Sequence, residues 1–353
     1  MEKRLLILTQ KVDKDDPILG FFHGWIERLA ESASSVTVIC LELGRNELPG
    51  NVKVLSLGKE EKGMSRIGYI KKFYSYIWNE RKNYDVVFVH MNQEYVLLGG
   101  LYWKLLRKKI FMWRNHKRGN FLTRMAVGLS NRVYCASAHS YTARFNKTKL
   151  MPAGIDTDAF KVGPDVKRLP RTILFAGRIS PVKRPDILIK AADSLRAVDE
   201  KFKLSIVGDP SKGSEGYYAD LRKAAVLLEK EEMVVFYEGV SQEHMPELYS
   251  SHEVFVNLTE TGSFDKTVLE AAACGCLPVL SNISFRSLLP SEYREFLFFK
   301  EDDAQDLEAK LKETLALSQS KRAIIGEKMR EIVIEKHSLD KLIKELLQDF
   351  QKN

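Results

Sequence analysis

A chain of 353 residues, 44% hydrophobic and 29% charged, has room for two domains that each bury a core. It carries no low-complexity tract and no apolar run near the ~20 residues that cross a bilayer, which argues against a disordered or membrane-spanning protein. The net charge of +8 is uneven: residues 1–164 hold 27 Lys+Arg against 15 Asp+Glu, a surplus that suits an anionic partner such as phosphate, nucleic acid or a lipid surface.

The chain opens on "MEKRLLILTQKVDKDD", whose apolar segment is too short for a signal peptide and turns acidic at once; it reads as the first β-strand of a cytosolic protein. Further strand-like runs follow: "SVTVICLEL", "NVKVLSL", "YDVVFVHM", "KIFMWRNH", "RVYCASA" and "KLMPAG". Amphipathic helices are predicted between them at 20–33 and 62–81. The stretch "DTDAFKVGPDVKRLPR", rich in Pro, Gly and charge, reads as a linker. The alternation then restarts with "TILFAG", "KFKLSIVG", "MVVFYEG", "EVFVNL", "LPVLSN" and "EFLFFK". Strands alternating with helices predict βαβ units and parallel sheets. Two such runs around a linker predict an α/β protein of two facing, doubly wound, Rossmann-like domains, 1–164 and 165–353. Ligands bind such sheets at the carboxyl ends of their strands, so the cleft between the domains is the expected site.

The last segment, 338–353, is amphipathic, with Leu339, Leu342, Ile343, Leu346, Leu347 and Phe350 on one face, and is expected to pack back on the N-terminal domain. Ser338 with Lys341 three residues on is half a capping box. Cys40, Cys135, Cys274 and Cys276 form no C-x-x-C pair or His/Cys cluster, so they are expected to be free, buried thiols, with no metal site.

Two stretches carry chemistry. In "TETGSFDKTVLEAAACGCLPVLS", 259–281, a polar loop follows a strand and opens a small-residue helix. Gly262 can take positive φ, the N–H groups around Ser263, Phe264 and Asp265 can face an anion, and Lys266 adds positive charge. Gly275 should end the helix. Glu270, one turn inside, is placed to accept hydrogen bonds from ribose hydroxyls; the competing reading is a capped helix with a surface glutamate. In "FAGRISPVKRPDILIKA", 175–191, Gly177 ends a strand, and Arg178 and Lys183 flank the turn into a helix. Two fixed cations suit a leaving diphosphate, against a reading as solvated surface side chains.

Together these motifs, G-R-x-x-x-x-K and T-G-S-x-D-K-x-x-L-E-A-x-A-C-G about eighty residues later, resemble the retaining, GT-B-fold glycosyltransferases of family 4. "LMPAGIDTDAF", 150–160, is similar to that family's P-N-G-I-D linker, with Ala153 in place of Asn, and "YEGVSQEHMPELYSSHEVFVNL", 237–258, is similar to its F-x-G-x-V/S-x-x-x-x-L-Y-x-x-A-D-V-F-V stretch. The resemblance covers the C-terminal domain well and the N-terminal domain more weakly. It implies that Arg178 and Lys183 contact the donor diphosphate, that Glu270 binds ribose, that the backbone at Ser263–Asp265 touches sugar and phosphate, and that Glu238, Gly239 and Val240 lie near the base. The first glutamate of the family's E-x7-E motif is replaced by Gly262, with Glu260 out of register. In "ILGFFHGW", Gly20 resembles a first-loop glycine whose missing side chain leaves room for substrates. In "WRNHKRG", His116 falls where the family often keeps a histidine beside the sugar; the competing reading is a loop or core histidine.

The resemblance implies a metal-independent transferase without cofactor, using a UDP- or GDP-linked sugar and retaining configuration; the expected acceptor is a glycan, or a lipid-linked glycan as in surface-polysaccharide assembly if the basic half docks on a membrane. Rival readings are a sugar-nucleotide epimerase or hydrolase of the same fold and an idle sugar-nucleotide-binding protein. "DKD" at 13–15 and "DTD" at 156–158 mimic a metal motif, but both fall in loops that need no metal. No G-x-G-x-x-G or P-loop is present, and the sequons "NKT", "NLT" and "NIS" carry no meaning in a cytosolic protein. Residues 62–82 mix six Lys/Arg with Met64, Ile67, Ile70, Phe73, Tyr74, Ile77 and Trp78, and "YWKLLRKK" at 102–109 adds a second basic cluster. These stretches can rest on an anionic membrane or form an ordinary helix buried on its sheet; no motif supports nucleic-acid binding.

Overall fold

The computed structural model describes residues 3–61, 63–198 and 201–352; Lys62, which opens the basic stretch 62–82, and the chain ends lie outside them. Two compact units divide the chain: Met1–Gly154 with Leu339–Asn353, and Ile155–Ser338.

The first unit runs β1 (Arg4–Val12), α1 (Phe21–Ser32), β2 (Ser35–Leu43), β3 (Val52–Ser56), α2 (Arg66–Asn79), β4 (Val86–His90), α3 (Gln93–Leu105), β5 (Lys109–Trp113), α4 (Phe121–Leu129), β6 (Arg132–Cys135) and β7 (Thr148–Leu150). All seven strands are parallel, in the order β3-β2-β1-β4-β5-β6-β7. Because successive side chains on a strand face opposite ways, a sheet covered on both sides reads as continuous apolar sequence. Leu5 and Ile7 of β1 join Phe22, Trp25 and Leu29 of α1 on one face. Leu6 and Leu8 join Phe73 and Ile77 of α2, Trp103 of α3 and Ala126 of α4 on the other.

The second unit runs β8 (Thr172–Ala176), α5 (Pro185–Arg196), β9 (Lys203–Val207), α6 (Glu215–Ala224), α7 (Val226–Lys230), β10 (Val234–Tyr237), α8 (Met245–Ser251), β11 (Val254–Asn257), α9 (Lys266–Ala273), β12 (Leu277–Leu280), α10 (Arg294–Leu297), α11 (Ala304–Leu315) and α12 (Gln319–His337). Its five parallel strands lie in the order β10-β9-β8-β11-β12. The chain then returns to the first unit as α13 (Leu339–Lys352), which buries Leu339, Leu342, Ile343, Leu346 and Phe350 beside α1. The Phe350 ring meets Phe88 and Phe111 at 5.7 and 4.8 Å.

Two expectations are corrected. The run "EFLFFK" is not a strand: residues 294–297 form one helical turn, and only Phe298 bridges to Leu280. The Arg294 guanidinium donates to the Leu289 carbonyl at 2.9 Å and draws the chain into that turn. The division falls at Gly154/Ile155 rather than after residue 164, and the linker-like stretch 156–171 packs into the second unit. Ile155 N–H donates to the His337 carbonyl at 2.9 Å, and Phe160 is buried beside Tyr249. Arg330 of α12 donates to the carbonyls of Thr157, Phe160 and Ala273, while Arg168 donates to those of Ser250, Cys274 and Gly275. Cations at the C-terminal carbonyls of α9 are favoured by the helix dipole, and here they also tie the linker down. All four cysteines are free and buried.

Candidate functional site

In an open parallel sheet a crevice forms where strand order reverses, because neighbouring connections leave to opposite faces. In the second unit β8 is the reversal point, flanked by β9 and β11. The loops leaving β8 and β11 carry Gly177–Arg184 and Leu258–Asp265, so the fold brings both chemistry-bearing stretches to one crevice.

Gly177 and Gly208 close the ends of β8 and β9 with φ of 150° and 148°. A Cβ on Gly208 would stand 2.0 Å from the Gly177 carbonyl oxygen, so the two loops touch through backbone alone. Arg178, next along, is exposed, and no hydrogen bond or ion pair engages its side chain among the described residues. Lys183 is not a free cation. Its ammonium is ion-paired with Asp265, which Asn257 Nδ2 also contacts at 3.1 Å. Burial alone would push the Asp265 carboxyl up, but the Lys183 charge and hydrogen bond, with Asn257, hold it below the usual carboxylate range.

The loop before α9 is built differently from the sequence expectation. Gly262 takes positive φ, 95°, as predicted, and its N–H donates to Ser284 Oγ at 2.9 Å. The Ser263 N–H is already committed, to the Glu260 carbonyl at 3.1 Å. Phe264 stacks on Phe285, ring centres 4.7 Å apart. Lys266 is half-buried: packing around its ammonium lowers its pKa, and Glu270, one turn on, opposes that shift. Glu270 is 5% exposed, which rules out the surface-glutamate reading. Burial raises its pKa well above the carboxylate range despite the Lys266 charge. Its Oε1 accepts from Gln242 Nε2 at 3.0 Å and its Oε2 from the Tyr249 hydroxyl at 3.4 Å. Gly275, φ 70°, follows the last helical turn as expected.

Glu238, Gly239 and Val240 follow β10. The Gly239 N–H donates to Asp209 Oδ1 at 3.2 Å, and Asp209 also receives the Ile179 N–H on its carbonyl at 2.9 Å. Asp209 therefore ties this loop to the one that carries Arg178.

Sequence reasoning missed Gln242, Tyr249, Asp209, Asn257 and Asn282. Two of these stand in the sequons. Asn257 and Asn282 are both buried. Asn282 Nδ2 donates to the carbonyls of Glu260 and Ser263 at 3.0 and 2.9 Å, and its Oδ1 accepts the Ser284 N–H at 2.9 Å. An asparagine ending an apolar strand, as Asn257 does, or just past one, as Asn282 is, was the available signal: it can satisfy loop carbonyls and N–H groups that no strand neighbour reaches.

In the first unit the reversal lies between β1 and β4. Gly20 starts α1 with ordinary negative φ, −54°. A Cβ there would meet the Asp16 and Lys14 carbonyl oxygens at 2.6 and 2.9 Å, so the glycine is demanded by its own loop. His116 is exposed after β5, its Nδ1 accepting the Arg118 N–H at 3.0 Å and its N–H donating to Ser140 Oγ at 3.3 Å. His90, which sequence reasoning passed over, is buried at the end of β4, 3.3 Å from Thr9 Oγ1 and stacked on Phe22 with ring centres 3.7 Å apart.

The metal-like triplets are engaged in local structure. Asp13 pairs with Lys11 at 3.0 Å and Asp15 with Arg45 at 2.6 Å, while Asp156 Oδ1 accepts the N–H groups of Asp158 and Ala159 at 3.1 Å each. Among the described residues no group of three or more His, Cys, Asp and Glu side chains could hold a metal ion, and no helix is long and apolar enough to cross a membrane.

Residues 156–332, half of the chain, match the family model of the glycosyl transferases group 1. The chain belongs to that family. The matched region spans nearly the whole second unit, with both cations, the 259–266 loop and Glu270 inside it, so the group 1 signature is that of this unit. Curated relatives include D-inositol 3-phosphate glycosyltransferase 2 of Catenulispora acidiphila, 30% identical over 157 residues that cover 40% of this chain and 36% of that protein. The D-inositol 3-phosphate glycosyltransferase of Acidothermus cellulolyticus is 28% identical over 155 residues, 40% and 35% of the two chains. The chain thus spans about a third of the length of these relatives. Among solved structures, Anabaena HepE in complex with UDP and glucose matches with a TM-score of 0.78 at 17% identity, over 99% of this chain and 100% of that one. WaaG, a glycosyltransferase involved in lipopolysaccharide biosynthesis, matches with a TM-score of 0.68 at 14% identity, over 99% and 100%. At such identities the likeness shows the fold, which is that of GT-B glycosyltransferases: two Rossmann-like units with parallel sheets.

Proposed function

We propose that the protein transfers a sugar from a nucleoside-diphosphate sugar, UDP- or GDP-linked, to a glycan or lipid-linked glycan, with retention of configuration and as a member of family 4. The observation that carries this reading is the convergence, at the reversal point of the second sheet, of Lys183, the start of α9 and the loop bearing Arg178. In this reading Arg178 and Lys183 neutralise charge that grows on the departing diphosphate. Glu270, held by Gln242 and Tyr249, keeps lone pairs for ribose hydroxyls. The backbone at Ser263–Asp265, with Gly262 at the loop's turn, touches sugar and phosphate, Lys266 adds positive charge there, and Glu238–Val240 adjoin the base. His116 stands beside the sugar, and Gly20 leaves room for donor and acceptor. Both cations belong to the protein, so the reading needs no metal. Anabaena HepE, bound to UDP and glucose, supports the class of donor.

The test is a thermal-shift panel of nucleotide sugars followed by turnover with and without acceptor. A ligand at ~100 times its Kd adds about 2.7 kcal/mol to stability. No stabilisation by any UDP- or GDP-sugar refutes the reading; turnover without acceptor points to the hydrolase or epimerase.

The membrane reading is supported by the outer faces of α2, α3 and α4. While α2 buries Phe73 and Ile77 on the sheet, it leaves Ile67 and Trp78 65% and 55% exposed, with Ile70 and Tyr74 between them. Leu101 and Leu105 of α3 and Phe121, Leu122 and Met125 of α4 are exposed too. Tyr76 is not part of this face: it is half-buried, its hydroxyl donating to the Ser56 carbonyl. Apolar side chains alternating with Lys71, Arg81, Lys82, Lys104 and Arg124 suit a peripheral seat on an anionic leaflet, where a lipid-linked acceptor would be met.

A further inference from the structure

Asp265 occupies the position immediately before α9, where an aspartate ordinarily turns back to accept the N–H groups two or three residues on. It does not cap its helix: its side chain accepts no backbone N–H of the helix start. Its Oδ2 instead receives both the Lys183 ammonium and Asn257 Nδ2. Asn257 is fixed in turn, its Oδ1 accepting the Thr259 N–H at 3.3 Å and the Thr259 hydroxyl at 2.5 Å. Thr259 and Asn257 are buried, and the side chains of Asp265 and Lys183 are only 16% and 19% exposed. A rigid relay from the end of β11 thus ends on one ammonium group, reached across 82 residues of sequence.

A lysine whose only task is solubility does not need such an anchor. We propose that Asp265 is a positioning residue that fixes Lys183 for the donor diphosphate, taking over the ordering role in a loop whose motif position 262 carries glycine instead of glutamate. The inference rests on the donor reading above. An ammonium has three N–H donors; one goes to Asp265 and two remain for phosphate oxygens. Lysine carries large rotamer freedom, and restraining it before the ligand arrives removes that loss from the binding step.

Simple electrostatics predicts the opposite outcome, which makes the inference testable. A carboxylate beside a diphosphate repels it, so removing the charge should tighten binding if Asp265 had no positioning role. The experiment is calorimetric titration of the full chain with UDP, GDP, UMP and GMP, alongside donor kinetics. In Asp265→Asn the preference for diphosphate over monophosphate is expected to shrink ~10-fold, with kcat falling more than KM rises. Asp265→Ser can cap α9 yet cannot hold Lys183; it is expected to match the wild-type thermal midpoint while losing the same preference. In a Lys183→Ala background, Asp265→Asn should add little further loss. Wild-type binding with unchanged or tighter diphosphate affinity in Asp265→Asn overturns the positioning role alone. A wild type that binds neither UDP nor GDP overturns the donor reading, and this inference with it.

Discussion

The Glu270 carboxylate accepts the side-chain amide of Gln242 at 3.0 Å, joining α9 to the loop after β10 across 28 residues. A glutamate 5% exposed would be costly if ionised and alone, so the amide and the Tyr249 hydroxyl make its position tenable. If Glu270 also receives two ribose hydroxyls, Glu270→Ala should weaken nucleoside-diphosphate binding by ~1.5–3 kcal/mol, the range for hydrogen bonds to charged groups. Gln242→Ala should weaken it less, by letting the carboxylate move. Calorimetry decides: unchanged affinity in Glu270→Ala would make it a core residue only.

Arg178 and Lys183 should separate in stability while agreeing in function. Each alanine variant is expected to lower turnover ~10²-fold or more, as loss of a transition-state charge contact does. Arg178 is exposed, so its removal should leave the thermal midpoint unchanged. Lys183→Ala strands a largely buried Asp265 carboxylate, which costs roughly 1–3 kcal/mol. Near-normal kinetics in both variants would end the assignment.

If the diphosphate charge is met by Arg178 and Lys183, activity should survive EDTA and need neither Mg²⁺ nor Mn²⁺. Asp13 and Asp15 are engaged by Lys11 and Arg45. Activity lost to EDTA and restored by Mn²⁺ would count decisively against this mechanism.

Stability should fall as pH drops below the ordinary histidine value of 6.5. His252 is buried between the Leu248 carbonyl and Ser205 Oγ, at 2.8 and 2.9 Å, and burial lowers its pKa. A lowered histidine is neutral in the folded state while the unfolded chain takes up a proton, so the stabilisation is complete above 6.5 and is lost as pH falls towards the folded value. Each unit of difference is worth about 1.4 kcal/mol. Burial also lowers His23 in the first unit. Thermal melts from pH 7.5 to 5 should show a declining midpoint, with a shallower slope in His252→Gln.

Vesicles containing anionic lipid should bind the protein, neutral ones should bind little, and raised salt should release it. Each cation near an anionic leaflet contributes roughly 1 kcal/mol, screened over about 8 Å. The Arg81 guanidinium lies 4.3 Å from the Trp78 ring centre, putting charge and aromatic surface together. Replacing Lys71, Lys72, Arg81 and Lys82 with glutamine should abolish vesicle binding and leave nucleotide affinity intact. Wild-type protein that ignores anionic vesicles at low salt in a flotation assay would leave a soluble acceptor as the better reading.

Local sequence determined the elements, because strand and helix periodicity and glycine's tolerance of positive φ are properties of short stretches. Twelve of thirteen strand-like runs became strands, and Gly262 and Gly275 took the conformations their positions required. The exception, "EFLFFK", is as apolar as a strand, but the guanidinium of Arg294, just before it, found a nearby carbonyl. What the sequence could not decide was pairing across distance. Whether Lys183 stands in solvent or against Asp265, and whether Glu270 is a surface charge or a buried acceptor, depends on which strand ends the sheet order brings together. The same holds for α2, whose apolar side chains could rest on a membrane or bury the helix on its sheet. Only its packing on the sheet shows that Ile67, Tyr74 and Trp78 remain exposed, because a helix can press just one face on a sheet.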